Sequence, residues 1–409
     1  MAKRLLMVAY HFPPLVGSSG IQRTLRFARY LPEFGWNPIV LTAHPRAYQA
    51  RSDDQLADVD DGVEVIRAQA WDASRHFAIA GHYPRFLARP DRWSSWWLGA
   101  LPAGLKAIRR LKPKAIWSTY PIATAHLIGR TLASRAGLPW VADFRDPMAQ
   151  DGYPADPATW RSFARIERET ITHARVSTFT TPGAAATYRD RYPEHANRLR
   201  VVENGYDEET FSGSDVEQTP LNAGCATLVH SGVVYPKSRD PSQLMKALAY
   251  LKASSPELFE QLRIRFRAPV HQSLLRDLAC THGVEGVVEI LPPIGYRDAL
   301  EEMLRADGLL VLQASNCNQQ VPAKLYEYFR ARRPLLALTD PAGDTAQVTR
   351  SAGIDAIAPL NDPDAIAELL RRFMCDPNQR ALPTEEAIAA ASRRRRAEQL
   401  AQILDGATH

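Results

Sequence analysis

Apolar and polar positions follow two alternating periods along most of the chain. Short runs of apolar residues, typical of strands buried on both faces, alternate with segments whose apolar residues recur every three or four positions. In the first half, strands are predicted at 4–10, 37–43, 62–68, 115–120, 139–144 and 176–181, and helices at 21–35, 103–112, 123–137 and 159–174. Alternation of this kind with short loops predicts a parallel sheet covered by helices.

The same pattern resumes after one interruption. Residues 208–224 are polar and show no periodicity, so we interpret them as an interdomain linker. Beyond them, strands are predicted at 226–232, 263–269, 287–291, 308–315 and 334–338, and helices at 241–252, 271–283, 297–307, from Pro322 onwards, and 385–404. The chain is therefore predicted to be an α/β protein of two Rossmann-like, doubly wound domains, with ligand bound where the carboxyl ends of their strands face the cleft.

Length and pattern together predict the domain boundaries. A chain of 409 residues is too long for one compact core. We predict a first domain over 1–207, a second over 208–384 and a C-terminal helix over 385–409, for which packing against the first domain is one arrangement. The four consecutive arginines of that helix, 393–396, are interpreted as a solvated face.

Composition narrows the class of protein. Hydrophobic residues make up 45% of the chain and charged residues 23%, which is typical of a soluble globular protein. The cysteines are far apart and form no CxxC pair, which argues against a disulfide framework or a zinc site. They are Cys225, Cys280, Cys317 and Cys375. The sequence shows no signal-peptide pattern and no membrane-spanning apolar run, so a cytoplasmic location is expected.

Charge is distributed unevenly between the two halves. Residues 1–200 contain 28 Lys+Arg against 17 Asp+Glu, whereas the remainder contains 22 against 28. The basic half could contact nucleic acid, anionic lipid headgroups or a phosphate-bearing substrate. No nucleic-acid recognition motif accompanies these charges, so that partner is not predicted.

Aromatic and basic residues are concentrated in one segment of the basic half, residues 82–102. It contains three tryptophans and three arginines, namely Trp93, Trp96, Trp97, Arg85, Arg89 and Arg92. Such a segment either settles among the headgroups of an anionic membrane surface or places its tryptophans in the core.

Two segments at strand-to-helix junctions of the first half carry candidate chemistry. In residues 11–23, Gly17 and Gly20 bracket Ser18 and Ser19 directly before a helix, so the backbone could approach a phosphate closely or simply turn. In residues 143–147, two aspartates flank an arginine. They could bind a metal, hold the loop, or act as acceptor-orienting or catalytic carboxylates.

Two further segments lie in the second half. Lys237 and Arg239 precede a helix that starts near Pro241, and two cations at a helix N-terminus suit a diphosphate. Lys324 and Glu327 are three residues apart near the start of another helix, so they share a face. They either form a salt bridge or contribute to a phosphate site at the helix N-terminus.

Together these segments resemble a known family. "YHFPPLVGSSGIQR", "DFRDP", "ENGYD", "HSGVVY…RDP" and "VPAKLYEYFRARRPLLAL" occur in the order and spacing of the family-4 retaining glycosyltransferases, which have the GT-B fold. The resemblance covers nearly the whole chain. It is closest to members that build bacterial surface polysaccharides.

The resemblance implies a role for each candidate residue. A nucleoside diphosphate sugar would bind mainly to the second domain, with Glu327 on the ribose hydroxyls. The diphosphate would meet Arg239 and Lys324, which with Asp143 are the expected catalytic residues. The other donor-binding residues would be Gly17, Ser18, Ser19, Gly20 and Gly232. The acceptor-side residues would be His11, Arg145 and Asp146.

The resemblance also implies partners. The acceptor would be a glycan or lipid-linked glycan at the inner face of the cytoplasmic membrane, and neither a metal nor another cofactor would be required. Two departures leave the donor sugar and any acid-base helper open. Many members have a glutamate eight residues before Glu327, where this chain has Gln319, and many have a histidine in place of Arg145. A non-catalytic nucleotide-sugar-binding subunit and a sugar-nucleotide epimerase are the alternatives.

Overall fold

The chain forms two compact units, each built on its own parallel sheet. The computed structural model describes residues 2–16, 20–53, 56–80, 82–211, 219–376 and 381–408. One unit comprises Met1–Asn204 with Arg393–His409, and the other comprises Gly205–Ser392. Helices and parallel strands alternate in both, which confirms the predicted architecture of two Rossmann-like domains.

The first unit contains a seven-stranded sheet. Its strands are β1 (Lys3–Val8), β2 (Trp36–Ala43), β3 (Glu64–Ala68), β4 (Ala115–Thr119), β5 (Trp140–Arg145), β6 (Val176–Phe179) and β7 (Leu199–Val201). They are parallel and lie in the order β3-β2-β1-β4-β5-β6-β7. Strands β4 and β5 are buried along their whole length, which explains why they read as continuous apolar runs.

Helices cover both faces of this sheet. They are α1 (Gly20–Tyr30), α2 (Ala73–His76), α3 (Trp96–Leu111), α4 (Ala123–Ala136), α5 (Pro157–His173) and α6 (Pro182–Arg191). Trp96 is fully buried in the core, and Trp93 and Trp97 pack against it while partly buried. The core interpretation of these tryptophans therefore holds, and they do not form an exposed interfacial segment.

The second unit contains a six-stranded sheet. Its strands are β8 (Ala226–Ser231), β9 (Leu262–Arg267), β10 (Val288–Leu291), β11 (Gly308–Gln313), β12 (Leu335–Thr339) and β13 (Ile357–Ala358), in the order β10-β9-β8-β11-β12-β13. Its helices are α7 (Glu208–Phe211), α8 (Ser242–Ser254), α9 (Pro256–Glu260), α10 (Gln272–His282), α11 (Tyr296–Arg305), α12 (Lys324–Ala331), α13 (Asp344–Ser351), α14 (Pro363–Cys375) and α15 (Glu385–Ala390). In both sheets the strand order reverses beside the first strand of the unit, and in such sheets this is where ligands bind.

Two predicted helix boundaries are wrong. Helix α12 begins at Lys324, so Pro322 does not occupy its first position and instead accepts a hydrogen bond from the Leu325 N–H (2.9 Å). The helix predicted over 385–404 is two helices, α15 and α16 (Arg393–Thr408). At the break, the Ala391 carbonyl accepts a hydrogen bond from the Tyr206 N–H (3.0 Å).

The two halves of that C-terminal segment belong to different units. Helix α15 is part of the second unit, whereas α16 belongs to the first and packs on α1. The apolar face of α16 lies in the core cluster of the first unit through Ala397, Leu400 and Leu404. Among the described residues, no helix is both long and apolar enough to cross a membrane.

Candidate active site

Lys324 is held at the carboxyl edge of the second unit's sheet. It is the first residue of α12, and its Nζ donates a short hydrogen bond to the Ser231 carbonyl oxygen at the end of β8. Nζ also lies 3.3 Å from Nε2 of His230. Gly232 makes this approach possible: its φ is +109°, and a Cβ placed there would lie only 3.1 Å from Nζ.

His230 fixes the lysine by acting as an acceptor. Burial lowers its pKa well below the usual range, and the charge of Lys324 adds to the effect, so the ring is neutral. Its Nδ1 lies 2.9 Å from the Leu310 carbonyl oxygen, which can only accept a hydrogen bond. The proton is therefore on Nδ1, and Nε2 is left to accept from the lysine.

Arg239 brings a second cation to the same edge. Its Nη1 donates to the Val233 carbonyl oxygen (2.9 Å), and its guanidinium lies over the Tyr235 ring at 5.2 Å. Within the described part of the chain, neither Arg239 nor Lys324 forms a salt bridge. Burial lowers the pKa of both side chains, and the charge of Arg239 lowers that of Lys324 further. Both side chains are partly buried, and two such cations without a salt bridge suit a ligand that carries negative charge.

Glu327 lies one turn along α12 and faces α11. Its Oε1 accepts a hydrogen bond of 2.9 Å from the hydroxyl group of Tyr296, the first residue of α11. The alternative of a Lys324–Glu327 salt bridge is wrong, since the lysine ammonium bonds to β8 and this pair is not among the salt bridges of the described residues. The carboxylate thus stands beside the cations and is oriented by a phenol.

A cavity of mixed polar and apolar lining opens at the same carboxyl edge of the second unit's sheet. Its volume is about 710 Å³, and its lining includes Lys237, Asn316 and Asp340, whereas Lys324, Arg239 and Glu327 do not line it. The Asn316 side-chain amide donates to the Lys237 carbonyl oxygen (3.3 Å), which ties the two walls together. A volume of this size matches the usual range of ligand pockets.

Asp143, in the first unit, has no free position for a substrate. It is completely buried on β5, and its carboxylate accepts two hydrogen bonds from Arg23, at 2.9 and 2.8 Å. Thr119 (2.8 Å) and Thr178 (2.7 Å) donate to the same oxygens. The Arg23 charge lowers its pKa against the opposing effect of burial, so it stays ionised. The expected catalytic role of Asp143 is therefore wrong, because these four bonds make it a structural residue.

Arg145 is presented by an unusual backbone at the end of β5. Its φ is +61°, and a register irregularity separates it from Asp143 in the pairing with β6. Its carbonyl oxygen accepts a hydrogen bond from Thr180 Oγ1 (2.7 Å), which holds the conformation. Its Nε and Nη1 are buried and have no partner among the described residues. A strained backbone and unpaired donors are features typical of binding sites.

Two more residues of the expected acceptor side lie close to this guanidinium. Burial and the Arg145 charge lower the pKa of His11 to about 3, so the imidazole is neutral. Burial raises the pKa of Asp146, while Arg145 acts in the opposite direction. The structure thus brings His11, Arg145 and Asp146 together where β1 and β5 end. Gly20 begins α1, whereas Gly17, Ser18 and Ser19 lie outside the described residues.

Comparison with known proteins assigns part of the chain to a family. Residues 19–205 match the model of the glycosyltransferase 4-like domain. This region is a glycosyltransferase 4-like domain. The match confirms the family resemblance inferred from the sequence segments. No curated protein matches the chain significantly.

Solved structures show that the fold extends over both units. HepE from Anabaena, in complex with UDP and glucose, is 16% identical with a TM-score of 0.66, over 99% of this chain and 100% of that one. WaaG, a glycosyltransferase involved in lipopolysaccharide biosynthesis, is 15% identical with a TM-score of 0.63, over 98% and 100%. α,α-Trehalose 6-phosphate synthase from Burkholderia multivorans is 12% identical with a TM-score of 0.67, over 99% and 97%. The family match and the GT-B fold together indicate a glycosyltransferase.

Three residues of this glycosyltransferase's second unit were not predicted from the sequence. His230 accepts from Lys324, Tyr296 donates to Glu327, and the Tyr328 hydroxyl accepts from the Ser231 N–H (3.0 Å). The histidine is visible in the "HSG" segment at the end of a strand, where a polar residue among apolar ones is a signal. The tyrosines give no such signal, because aromatic residues on a helix also fit a core. Among the described residues, no group of three or more His, Cys, Asp or Glu is arranged to hold a metal ion.

Proposed function

We propose that this glycosyltransferase moves a sugar from a nucleoside diphosphate sugar to a hydroxyl group of a lipid-linked or growing bacterial surface glycan, with retention of anomeric configuration. The observation that carries the proposal is the pair of partly buried cations, Lys324 and Arg239, beside a glycine with left-handed backbone. Neither cation forms a salt bridge among the described residues, which supports a ligand as the source of the opposing charge.

The proposed reaction relies on stabilising the leaving group. As the glycosidic bond breaks, negative charge grows on the departing diphosphate, and Lys324 and Arg239 stabilise it in a site that is already organised. The acceptor hydroxyl would attack on the same face and pass its proton to a diphosphate oxygen, so no protein nucleophile is needed. Two cations on the diphosphate also supply the charge that a divalent metal would otherwise provide, which supports metal-independent transfer.

Glu327 provides the means to recognise the nucleoside. A carboxylate accepts hydrogen bonds from two vicinal hydroxyl groups, which a ribose offers, and Tyr296 holds it in place. HepE is described with UDP and glucose bound, which supports uridine diphosphate as the first nucleotide to test. The involvement of WaaG in lipopolysaccharide biosynthesis supports a surface-glycan acceptor.

Peripheral contact with the cytoplasmic face of an anionic membrane is part of the proposal, through apolar residues other than the tryptophans. The tryptophans of 82–102 are largely in the core, but Phe86 of the same segment is 68% exposed and Ile79, just before it, is 84% exposed. Arg85 beside them is 85% exposed. Exposed apolar side chains among basic ones can insert between headgroups while the cations meet lipid phosphates.

Turnover measurements test the proposed chemistry. Lys324→Met and Arg239→Gln should each lower kcat by about two to three orders of magnitude, because each removes a charge that meets the transition state. Arg276→Gln, which removes an exposed cation of α10 whose side chain donates to Gln272, is the control and should change kcat little. The assay follows UDP release from UDP-sugars with membrane extract as acceptor, in the presence of EDTA. Activity that needs added magnesium or manganese would contradict the metal-independent scheme.

One alternative retains a specific observation in its favour. Gln319 replaces the glutamate that many members have eight residues before Glu327, which fits a subunit that binds a nucleotide sugar without transferring it. Tight UDP binding without turnover on any donor would favour that alternative. If Lys324→Met and Glu327→Ala both bind UDP as the wild type does, the nucleotide binds elsewhere.

A further inference from the structure

A second cavity lies on the first unit, at the opposite edge of the sheet from His11 and Arg145. Its volume is about 630 Å³, and it is lined by residues at the amino-terminal ends of β5 and β6 and by the end of α4. The carboxyl ends of the strands, which carry the candidate acceptor side, point away from it. The cavity is therefore separate from the proposed active site.

Arginines dominate the charge of this cavity. Four of them line it, together with one histidine: Arg130, Arg135, Arg175, Arg198 and His173. The topology explains the concentration. Arg135 precedes β5, Arg175 precedes β6 and Arg198 precedes β7, and these strands are neighbours in the sheet. Three successive helix-to-strand turns thus bring one cation each to the same edge.

Local carboxylates and carbonyls leave part of this charge unpaired. Glu169 forms a salt bridge with Arg130 (2.6 Å) and lies 3.7 Å from His173, and Arg198 reaches the Thr172 carbonyl oxygen at 3.5 Å. Within the described ranges, the guanidinium groups of Arg135 and Arg175 form neither a hydrogen bond nor a salt bridge. Arginines near a helix C-terminus often satisfy its last carbonyl groups, but these two do not.

The remaining wall of the cavity combines apolar residues with the hydroxyl side chains of Thr131 and Ser134. Gly137 caps helix α4, and its φ of +63° turns the chain so that Leu138 and Pro139 lead directly into β5. Trp140, the first residue of β5, is 2% exposed and donates from Nε1 to Ser118 (2.8 Å). A cationic rim above a wall of mixed polarity fits an anionic group attached to an organic body.

We infer that this cavity is a second ligand site, for a phosphorylated small molecule or the phosphate headgroup of a lipid, bound through Arg135 and Arg175. Guanidinium groups bind phosphate with two parallel hydrogen bonds, and two of them, exposed and without a salt bridge at one rim, match the two negative charges of a phosphate monoester. The site does not depend on the donor chemistry of the second unit. It gives a specific use to part of the positive charge of the first half, which the proposed reaction does not need.

Inorganic pyrophosphate is the probe. All variants in this experiment are made in the Arg239→Gln protein, in which Lys324→Met removes the second cation of the donor site. In calorimetric titration, Lys324→Met should still bind pyrophosphate, and adding Arg135→Gln and Arg175→Gln should weaken that binding by about ten-fold or more, as expected for one lost charge-assisted contact or two. The matched control adds Arg161→Gln and Arg165→Gln, two exposed arginines of α5 without salt bridges among the described residues, and should bind as Lys324→Met does.

The outcomes are separable. If the Arg135/Arg175 variant binds pyrophosphate as its background does, or if Lys324→Met binds none, the inference is overturned while the proposed donor site stands. The lysine replacements Arg135→Lys and Arg175→Lys keep the charge and should retain part of the binding, which guards against misfolding as the cause. A second experiment distinguishes a lipid headgroup from a phosphorylated small molecule. Pyrophosphate is added to protein bound to phosphatidylglycerol vesicles. Release of the protein from the vesicles that requires Arg135 and Arg175 identifies a headgroup site, whereas vesicle binding that pyrophosphate does not change identifies a soluble phosphate ester.

Discussion

The hydroxyl group of Tyr296 donates a hydrogen bond of 2.9 Å to Oε1 of Glu327, and so links the first residue of α11 to the first turn of α12. This contact places a carboxylate, which could otherwise turn into solvent, at a fixed position beside Lys324 and Arg239. A ribose would bind to the same carboxylate. The Tyr296 phenol therefore orients Glu327 for binding, and Tyr296 need not contact the ligand itself.

Variants of the two partners should therefore weaken nucleotide binding to different degrees. Glu327→Ala removes the charged acceptor of the ribose hydroxyls and should cost about 1.5–3 kcal/mol for each such bond. Tyr296→Phe removes only the orienting hydrogen bond and should cost about 0.5–1.5 kcal/mol. Calorimetric titration of UDP measures both. Equal losses in the two variants would mean that Tyr296 contacts the nucleotide directly, and no loss in either would remove Glu327 from the site.

The sequence predicts most of the strands and the position of Lys324 at a strand-to-helix junction, because each depends on local pattern. Parallel strands buried on both faces appear as continuous apolar runs, and a lysine at a strand-to-helix junction can only lie near the carboxyl edge. The partner of Lys324 could not be predicted in this way. His230 lies 94 residues away in the chain, and only the adjacency of β8 and β11 brings it to the ammonium group.

Helix α6 could have been predicted, since Thr181 and Pro182 form a start signal and Thr181 Oγ1 caps Ala184 N–H (3.2 Å).

The error over Asp143 has the same origin. Two aspartates around an arginine look available in the sequence, but Arg23, 120 residues earlier, occupies both oxygens of Asp143. Nothing in the spacing of residues 143–147 indicates this partner. A contact between α1 and β5, which are distant in the chain, thus makes Asp143 a structural carboxylate, whereas Asp146 remains near the site.

Asp143→Asn should destabilise the first unit rather than act only on turnover. Arg23 and Asp143 are 3% and 0% exposed, so the variant leaves a buried guanidinium without its counter-charge, at a cost of about 3–5 kcal/mol. Urea unfolding followed by circular dichroism measures the loss. Glu398→Gln, which breaks an exposed pair with Arg395 on α16, is the control and should cost about 0–1 kcal/mol. Unchanged stability with abolished turnover would return a catalytic role to Asp143.

The pH dependence of stability provides a second measurement on the same pair. The pKa of Asp143 is lower in the folded chain than its ordinary value, so its contribution is present above that ordinary value of about 3.9 and is lost as pH falls through the folded pKa. Acid should therefore destabilise the wild type more than Asp143→Asn. Parallel losses in the two proteins between neutral and acidic pH would contradict this assignment.

Membrane association should depend on the exposed apolar side chains and on salt. Ile79→Ser with Phe86→Ser should reduce flotation with phosphatidylglycerol vesicles by about ten-fold or more, since burying each side chain is worth about 1.5–3 kcal/mol. High salt should weaken wild-type binding by screening the arginines. Val270→Ser with Leu382→Ser removes two exposed apolar residues of the second unit and serves as the control. Binding of the wild type to neutral and anionic vesicles alike would contradict an electrostatic contribution.

Nucleotide binding should be coupled to proton uptake by Lys324. Burial and the charge of Arg239 lower the pKa of this lysine well below its usual range in the free protein, whereas a bound diphosphate would raise it again. Above the free-state pKa, binding must therefore charge the lysine, and UDP affinity should fall as pH rises through that value. Below it, the lysine is already charged and this contribution to the pH dependence vanishes.

Calorimetric titrations of UDP in buffers of different ionisation enthalpy measure the number of protons taken up. Wild type should take up more protons than Lys324→Met at pH values between the lowered pKa of the free protein and the usual lysine pKa of about 10.4. Arg276→Gln, which keeps Lys324, should match the wild type, so the ionisation of UDP itself cancels from the comparison. Equal proton uptake in wild type and Lys324→Met would mean that the lysine is already charged before UDP binds. That result would contradict the lowered pKa of Lys324 that we attribute to burial and to the charge of Arg239.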